Sequence, residues 1–179
     1  IGEMKTKPTQ HAVRALNSAG IQPDFIIARS DVPLDEPRKR KLSIFCNVRP
    51  EDIISAPDID VIYQVPLNFE KERLGGKILK KFGFKERRKD LKDWGRMVRR
   101  ATGSKKEVQI GVVGKYFGTG NFTLSDSYLS VIEAVKHAAW SFSRKPKILW
   151  LDAESYEKNS KKMKEELLAV NGIIVPGGF

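Results

Sequence analysis

In the second half of the chain, short apolar runs alternate with segments whose apolar residues recur at helical spacing. The runs at 108–114, 147–151 and 172–176 predict buried strands, and the segments 124–142 and 156–170 predict the helices between them. Short connections in this strand–helix order predict a parallel, doubly wound sheet.

The first half shows a shorter version of the same pattern. Apolar residues at helical spacing predict helices over 9–19 and 38–47, and a short apolar run predicts a buried strand over 24–28. Residues 53–55 and 61–63 are two further strand candidates.

Between the halves, two basic helices are predicted over 69–82 and 91–100, followed by a polar, Gly-containing break at 101–106. The sequence therefore predicts an α/β protein with parallel, doubly wound sheets in two partial α/β domains, joined by a basic helical linker. The predicted limits are residues 1–66 for the first domain, 67–106 for the linker and 107–179 for the second domain.

Positive charge is concentrated in this linker. Residues 71–106 hold 15 Lys and Arg against 4 Asp and Glu, a surplus of 11 that equals the net charge of +11 of the whole chain. Such a segment can bind nucleic acid or another polyanion. Its aromatic residues Phe82, Phe84 and Trp94 are predicted to pack between helices rather than to stack on bases. A solvated helical face or a subunit contact is therefore favoured, and nucleic acid is not the expected partner.

The remaining composition argues against several other classes of function. Cys46 lies in an apolar setting, where an inert buried thiol is expected, and a single cysteine fits a reducing cytoplasm. His11 and His137 are predicted to be structural, so neither a hydrolytic triad nor a protein-built metal site is expected. No apolar run approaches the ~20 residues that span a bilayer, so no membrane contact is predicted.

The candidate chemistry begins at residues 5–11, Lys-Thr-Lys-Pro-Thr-Gln-His. Two ammonium groups, two hydroxyls, an amide and the start of a helix suit a polyphosphate, because they supply positive charge and hydrogen-bond donors. The stretch is not a P-loop, since GxxxxGK[ST] occurs nowhere in the chain. The alternative is a solvated N-terminal cap in which Thr9 caps the helix.

A second cationic set lies further along the first half. Arg29 ends the first predicted strand and Lys41 lies on the next predicted helix. If strand and helix pack as βα units do, both could face the rim that carries Lys5 and Lys7. The alternative is that Lys41 and its basic neighbours are ordinary helix-surface charge.

Two glycines, Gly177 and Gly178, follow the last predicted strand. Ligands of open α/β sheets bind at the carboxyl ends of strands, and unobstructed backbone N–H groups suit an oxyanion hole. A Gly-Gly turn is more often just a turn.

Several motifs of the chain resemble CTP synthase. The matching stretches are 2–11, 20–24, Arg29-Ser30, Lys41 and 45–48 in the first half, and 110–116, 126–137 and 175–179 in the second. They cover the whole chain in the correct order, and Lys-Thr-Lys-Pro-Thr-Gln is close to diagnostic. The resemblance implies an enzyme that makes CTP from UTP, ATP and glutamine. ATP with Mg²⁺ phosphorylates the uracil 4-oxygen, and ammonia from glutamine displaces the phosphate. A homotetramer is also implied.

The resemblance also implies the site residues. The positions implied to bind UTP, and CTP as feedback inhibitor, are Lys5, Thr6, Lys7, Pro8, Thr9, Gln10 and Lys41. The segment implied to contact the ATP base is Pro57, Asp58 and Ile59, and Gly178 is implied to bind glutamine.

The family's catalytic groups are expected outside this chain. The phosphate-binding loop and the magnesium carboxylates should precede Ile1, and the Cys nucleophile with its His and Glu partners should follow Phe179. The chain is therefore expected to be an internal piece that joins the end of the synthetase domain to the start of the glutamine amidotransferase domain, without either activity by itself.

Two other hypotheses stay open. One is a non-catalytic basic module that binds nucleic acid or another polyanion through residues 71–106. The other is a different glutamine amidotransferase, or a biotin-synthesis-type ATP-dependent ligase, that shares the same α/β halves.

Overall fold

The computed structural model describes the whole chain except residues 1–3, 116–117, 120–121, 124–127, 159 and 178–179. The chain forms two compact units, Ile1–Lys92 (unit 1) and Asp93–Phe179 (unit 2). The boundary between them falls inside the predicted linker.

Unit 1 is a βαβ arrangement with a helix before it and two after it. In chain order it contains α1 (Lys7–Ser18), β1 (Ile26–Ser30), α2 (Glu36–Cys46), a 3₁₀ helix (Pro50–Asp52), β2 (Ile53–Pro57), a second 3₁₀ helix (Ile62–Gln64), α3 (Val65–Lys71) and α4 (Leu74–Lys81). The two strands are parallel, with Ile26 opposite Ile53 and Ser30 opposite Pro57. Helix α2 is the crossover that parallel strands require.

The core of unit 1 lies between α1, α2 and the two strands. Its buried members are Val13, Ile26, Ala28, Leu42, Cys46, Val48 and Ile53. Helix α2 is well bounded: the Asp35 carboxylate accepts a hydrogen bond from the Arg38 backbone N–H at 3.0 Å, and Asn47 ends the helix in the left-handed region at φ 52°. These caps fix both ends of α2, the crossover that connects β1 to β2.

Unit 2 is a three-stranded parallel sheet with its own helices. In chain order it contains α5 (Lys92–Gly103, which begins at the last residue of unit 1), β3 (Glu107–Gly114), β4 (Gly118–Thr119), β5 (Phe122–Thr123), α6 (Leu129–Ser141), β6 (Lys145–Asp152), α7 (Ala153–Lys158), α8 (Ser160–Leu168) and β7 (Gly172–Ile174). Strand β3 lies between β6 and β7, and β4 and β5 form a separate antiparallel pair. The connection from β3 to β6 runs to one side of β3, and the connection from β6 to β7 runs back past β3 to the other side. Because both crossovers are right-handed, α6 and α8 lie on opposite faces of the sheet. The predicted parallel α/β architecture is confirmed.

Glycine is needed at one position of β3. A Cβ added at Gly111 would lie 2.5 Å from Leu151 Cδ1 and 3.5 Å from Val170 Cγ1. Because Gly111 has no side chain, the buried side chain of Leu151 in β6 can pack directly against the backbone of β3.

Strands β3 and β7 and helix α6 line an apolar groove of about 800 Å³ in unit 2. Its described lining is almost entirely aliphatic, with Phe142 and Arg144 at one end. Such a groove does not supply the polar groups that a nucleotide or glutamine requires.

Three sequence predictions were wrong about element boundaries. Residues 61–63 were predicted as a strand, but Ile62 and Tyr63 lie in the second 3₁₀ helix, which Val61 precedes. The helix predicted over 69–82 is two helices, with Arg73 between them at φ 55°. Helix α5 continues to Gly103, into the segment predicted as a break. The helix predicted over 156–170 corresponds to α7 and α8, and residue 159 between them lies outside the described residues. The start of the helix predicted over 124–142 also lies outside them.

The prediction that the linker aromatics pack between helices was wrong for Phe82 and Phe84. Phe82 and Phe84 are 72% and 65% exposed, and their rings lie 6.5 Å apart. Trp94 is partly exposed as well. Among the described residues, no helix is long and apolar enough to cross a membrane.

Candidate functional site

Helix α1 begins two residues earlier than its apolar pattern predicts. It starts at Lys7, with Pro8 in the first turn, where a fixed φ and a missing N–H are tolerated. Thr6 occupies the N-cap position with no side-chain capping hydrogen bond. Thr9 therefore lies inside the first turn, and the hypothesis that Thr9 caps the helix was wrong.

Thr6 and Gln10 form a buried pair at this helix start. The Gln10 Nε2 group donates to the Thr6 hydroxyl at 3.0 Å, and the Gln10 backbone N–H donates to the Thr6 carbonyl at 3.1 Å. The two residues are 7% and 1% exposed, and Gln10 Oε1 has no hydrogen-bond partner among the described residues. A buried carbonyl oxygen without a donor is uncommon in a folded protein, so this atom can accept a hydrogen bond from a ligand or from water.

The charged members of the same segment face solvent. Lys5, Lys7 and Pro8 are exposed, and Thr9 is half-buried. The segment therefore has a buried hydrogen-bonded pair that fixes its backbone and two ammonium groups that remain available to an anion. This is the combination that a polyphosphate contact needs.

Arg38 of α2 holds the residue that precedes this segment. Its Nε donates to the Met4 carbonyl at 3.2 Å, and its guanidinium also pairs with Asp35. Lys41 is exposed and follows Arg38 by three residues, which places it on an adjacent part of the α2 surface. In the sequence, Arg38 is one of the basic neighbours of Lys41 for which ordinary helix-surface charge was the alternative. Its role in holding Met4 depends on a contact across 34 residues that no local pattern could reveal.

Pro57, Asp58 and Ile59 lie at the carboxyl edge of the two-stranded sheet. Asp58 pairs with Arg29, Oδ1 to Nη2 at 2.5 Å, and its backbone N–H donates to the Ser30 carbonyl at 2.9 Å. This edge is where open α/β sheets bind ligands. Both charged groups are more than half exposed, so the ion pair itself adds little stability.

The same edge of the sheet faces the start of α2. Because α2 follows β1 in the chain, its first turn lies toward the carboxyl end of β1, and Arg38 is in that turn. The first turn of α2 therefore binds Met4 through Arg38 and also lies toward the sheet edge that carries Asp58. For Lys41, a role at this edge stays a prediction.

In unit 2, the strand ends carry a second group of predicted residues. Gly114 of β3 is opposite Asp152 of β6, and Lys115 follows it as an exposed residue. Gly177 follows β7, and a Cβ there would meet no atom within 4 Å. Gly178, the position implied to bind glutamine, lies outside the described residues.

The remaining candidate groups are one thiol and two imidazoles. Burial raises the pKa of the Cys46 thiol above its ordinary value, and the nearby Arg14 lowers it in part. A protonated, enclosed thiol is a poor nucleophile. His137 packs edge-on against Trp140 with ring centroids 5.3 Å apart. His11 is exposed on α1.

Comparison with known proteins gives a consistent result. A family model described as CTP synthase N-terminus matches residues 1–84. Over 179 residues, the chain is 48% identical to the CTP synthase of Pyrococcus abyssi and 49% identical to that of Thermococcus gammatolerans. It is 46% identical over 178 residues to the CTP synthase of Nostoc punctiforme. The chain is covered almost completely in each case, but it spans 31–32% of the length of these curated relatives.

Proposed function

We propose that this chain is part of a CTP synthase and that unit 1 contributes to its pyrimidine nucleotide site. The observation that carries the proposal is the start of α1, where the buried Thr6–Gln10 pair fixes a backbone segment that presents Lys5 and Lys7 to solvent. The identity of 48% to a CTP synthase over the whole chain supports it independently.

In this proposal the triphosphate of UTP, or of CTP as inhibitor, lies against residues 5–10. Lys5 and Lys7 neutralise phosphate charge, Thr9 and the backbone N–H groups of the first turn donate hydrogen bonds, and Lys41 adds a cation from α2. Pro8 fixes the chain direction at this turn, since its ring restricts φ. The buried pair would hold these donors in place before the nucleotide binds, which lowers the entropic cost of binding.

The whole reaction needs further groups. We propose that ATP, with Mg²⁺ as its counter-ion, contacts the segment Pro57–Ile59 with its base and transfers its γ-phosphoryl group to the uracil 4-oxygen. Ammonia from glutamine then attacks C4, and phosphate leaves. Glutamine would bind beside Gly178.

The proposed domains have different limits from the two compact units, which meet after Lys92. We propose that residues 1–66 are the rear of the synthetase domain, 67–106 a helical linker, and 107–179 the front of a glutamine amidotransferase domain. The family model ends at residue 84, before the parallel sheet of unit 2 begins. This supports a second domain there. On this basis the chain alone has neither synthetase nor glutaminase activity, and the intact enzyme is a cytoplasmic homotetramer.

Equilibrium binding of UTP and CTP tests the nucleotide site. The measurement is made on the intact CTP synthase that contains this chain, with Lys5→Ala and Lys41→Ala, each expected to weaken binding by about 1–3 kcal/mol per lost charge-assisted contact. Arg40→Ala is the matched control, since Arg40 is an exposed neighbour of Lys41 that points about 100° away around α2. Unchanged affinity in both lysine variants, or an equal loss in the control, would remove the assigned role.

A second candidate function is favoured by one observation. Phe82 and Phe84 are exposed and close together, and Lys80 and Lys85 flank them. Lys81, which also adjoins them, pairs with Asp24. Exposed aromatic rings among cations can bind single-stranded nucleic acid by stacking and charge. A salt titration separates the candidates, because nucleic acid binding falls steeply with salt and its absence at low salt would exclude this function.

A further inference from the structure

We propose that unit 2 carries a binding cleft for a short polyphosphate group, formed where α5 ends and β6 begins. The residues that line it are Arg96, Arg99, Arg100, Gly103, Ser104, Lys105 and Ser143. The cleft has a volume of about 350 Å³, at the small end of the range of ligand sites. Four cationic side chains in so small a space favour a compact, highly charged anion.

Helix α5 places three of the cations on one side. Arg96, Arg99 and Arg100 are spaced i, i+3 and i+4, so they are neighbours on the helix surface. A Cβ at Gly95 would lie 3.3 Å from Arg99 Nη1, which shows that the glycine lets this guanidinium lie close against the helix. Guanidinium groups bind phosphate oxygens with two parallel N–H donors, so an arginine cluster suits phosphate better than a lysine cluster does.

Two loops complete the lining of the cleft with Ser104 and Ser143. The Ser104 hydroxyl donates to the Arg100 carbonyl at 2.6 Å. The same carbonyl also accepts the Ser104 backbone N–H at 3.1 Å, so Ser104 is fixed against the last turn of α5 and its hydroxyl oxygen remains as an acceptor. Ser143 adopts the left-handed conformation at φ 53°, which is uncommon outside glycine and asparagine, and this turn brings it to the cleft.

The positive charge of the cleft is mostly unbalanced. Arg96 pairs with Asp93 at 3.1 Å, and both groups are exposed. Within the described residues, no carboxylate lies at ion-pair distance from Arg99, Arg100 or Lys105. A local surplus of this kind raises the concentration of anions at the cleft.

The cleft is separate from the sites discussed above. Its loops precede β3 and β6, so it lies at the amino edge of the unit 2 sheet. Gly177 follows β7 and lies at the opposite, carboxyl edge. The pyrimidine nucleotide site belongs to unit 1. The inference therefore does not depend on the proposed function.

The test is calorimetric titration of the whole 179-residue chain with inorganic tripolyphosphate at low salt. The variant Arg99→Ala/Arg100→Ala is compared with Arg87→Ala/Arg88→Ala, which removes the same charge from exposed residues outside the cleft. We expect the cleft variant to bind at least about tenfold more weakly than the unchanged chain, and the control less than about twofold. Equal losses in both variants would mean a diffuse electrostatic effect and would overturn the proposal.

A second measurement keeps the test valid if the cleft variant folds poorly. In an amide NMR titration of the unchanged chain, tripolyphosphate should shift the signals of Gly103, Ser104 and Ser143 first and most. Shifts centred elsewhere would overturn the assignment.

The third measurement is the binding of a single-stranded oligonucleotide. If the oligonucleotide binds far more tightly than tripolyphosphate and both double variants weaken its binding, the basic segment is a nucleic acid surface and the cleft proposal fails.

Discussion

The hydrogen bond between Thr6 and Gln10 should be measurable as a coupling energy. Thr6→Val keeps the shape of the side chain but removes the hydroxyl that accepts from Gln10 Nε2 at 3.0 Å. Gln10 is 1% exposed and its Oε1 already has no partner among the described residues, so the variant leaves the whole amide unsatisfied. We expect a loss of about 1–3 kcal/mol in the free energy of unfolding.

The companion variants should behave differently. Gln10→Leu removes the unpartnered Oε1 together with the donor Nε2, and only the Thr6 hydroxyl loses its hydrogen-bond partner. The free energy of unfolding should therefore fall by less, about 1 kcal/mol. The double variant has no polar atom left to satisfy and should be close to the unchanged protein. The two single losses should therefore not add, and the difference is the energy of the pair.

Thermal and urea unfolding of the 179-residue chain measure these values. In a domain of 60–100 residues, 1 kcal/mol corresponds to about 4–8 °C in Tm, and unit 1 spans Ile1–Lys92. In the intact enzyme, the double variant should keep its stability and lose affinity for UTP, because it has lost the free oxygen and the positioned segment. If Thr6→Val unfolds at the same temperature as the unchanged protein, or if the two single losses simply add, the pair does not hold the segment as argued.

Three further predictions concern stability. Gly111→Ala should lower the free energy of unfolding by about 1–3 kcal/mol in urea, because the new Cβ would lie 2.5 Å from Cδ1 of the enclosed Leu151. Gly75→Ala, on an exposed and open part of α4, should raise it by about 0.5–1 kcal/mol. The opposite order of the two variants would contradict the packing. Since burial raises the pKa of the Cys46 thiol, the folded state resists thiolate formation, so the free energy of unfolding should fall as the pH rises above the ordinary thiol value of about 8.5, and this part of the fall should vanish in Cys46→Ala. Asp35→Ala should cost about 0.5–2 kcal/mol by thermal unfolding through loss of the α2 N-cap, and Asp35→Asn should recover most of it; equal losses would show that the ion pair and not the cap matters.

The elements that the sequence predicts correctly are those with a strong local pattern. The two long strands of unit 2, Glu107–Gly114 and Lys145–Asp152, are apolar runs between polar breaks, and the sheet formed around them as expected. The run at 61–63 is equally apolar but leads directly into Val65-Pro66, and proline in the first turn favours a helix start. A strand and a helical turn cannot be separated there by periodicity alone.

The site could be predicted in its residues but not in its contacts. The basic and hydroxyl-bearing segment at the start of α1 is visible in the sequence. That Gln10 turns inward to Thr6 while Lys7 stays exposed depends on how α1 packs. The pair of Arg29 with Asp58 joins residues 29 positions apart, and it requires the parallel register of β1 and β2. Interactions of this kind are decided by tertiary structure, which local propensities do not encode.

The aliphatic groove between α6 and β7 also affects how the purified chain can be handled. An open apolar surface of this extent binds fluorescent dyes such as ANS and promotes self-association as the protein concentration rises. Calorimetry and NMR both require concentrated samples, so dimers or larger clusters would distort the measured affinities. A dilution series by analytical ultracentrifugation belongs before either titration, and a mild non-ionic detergent that fills the groove should restore a single sedimenting species.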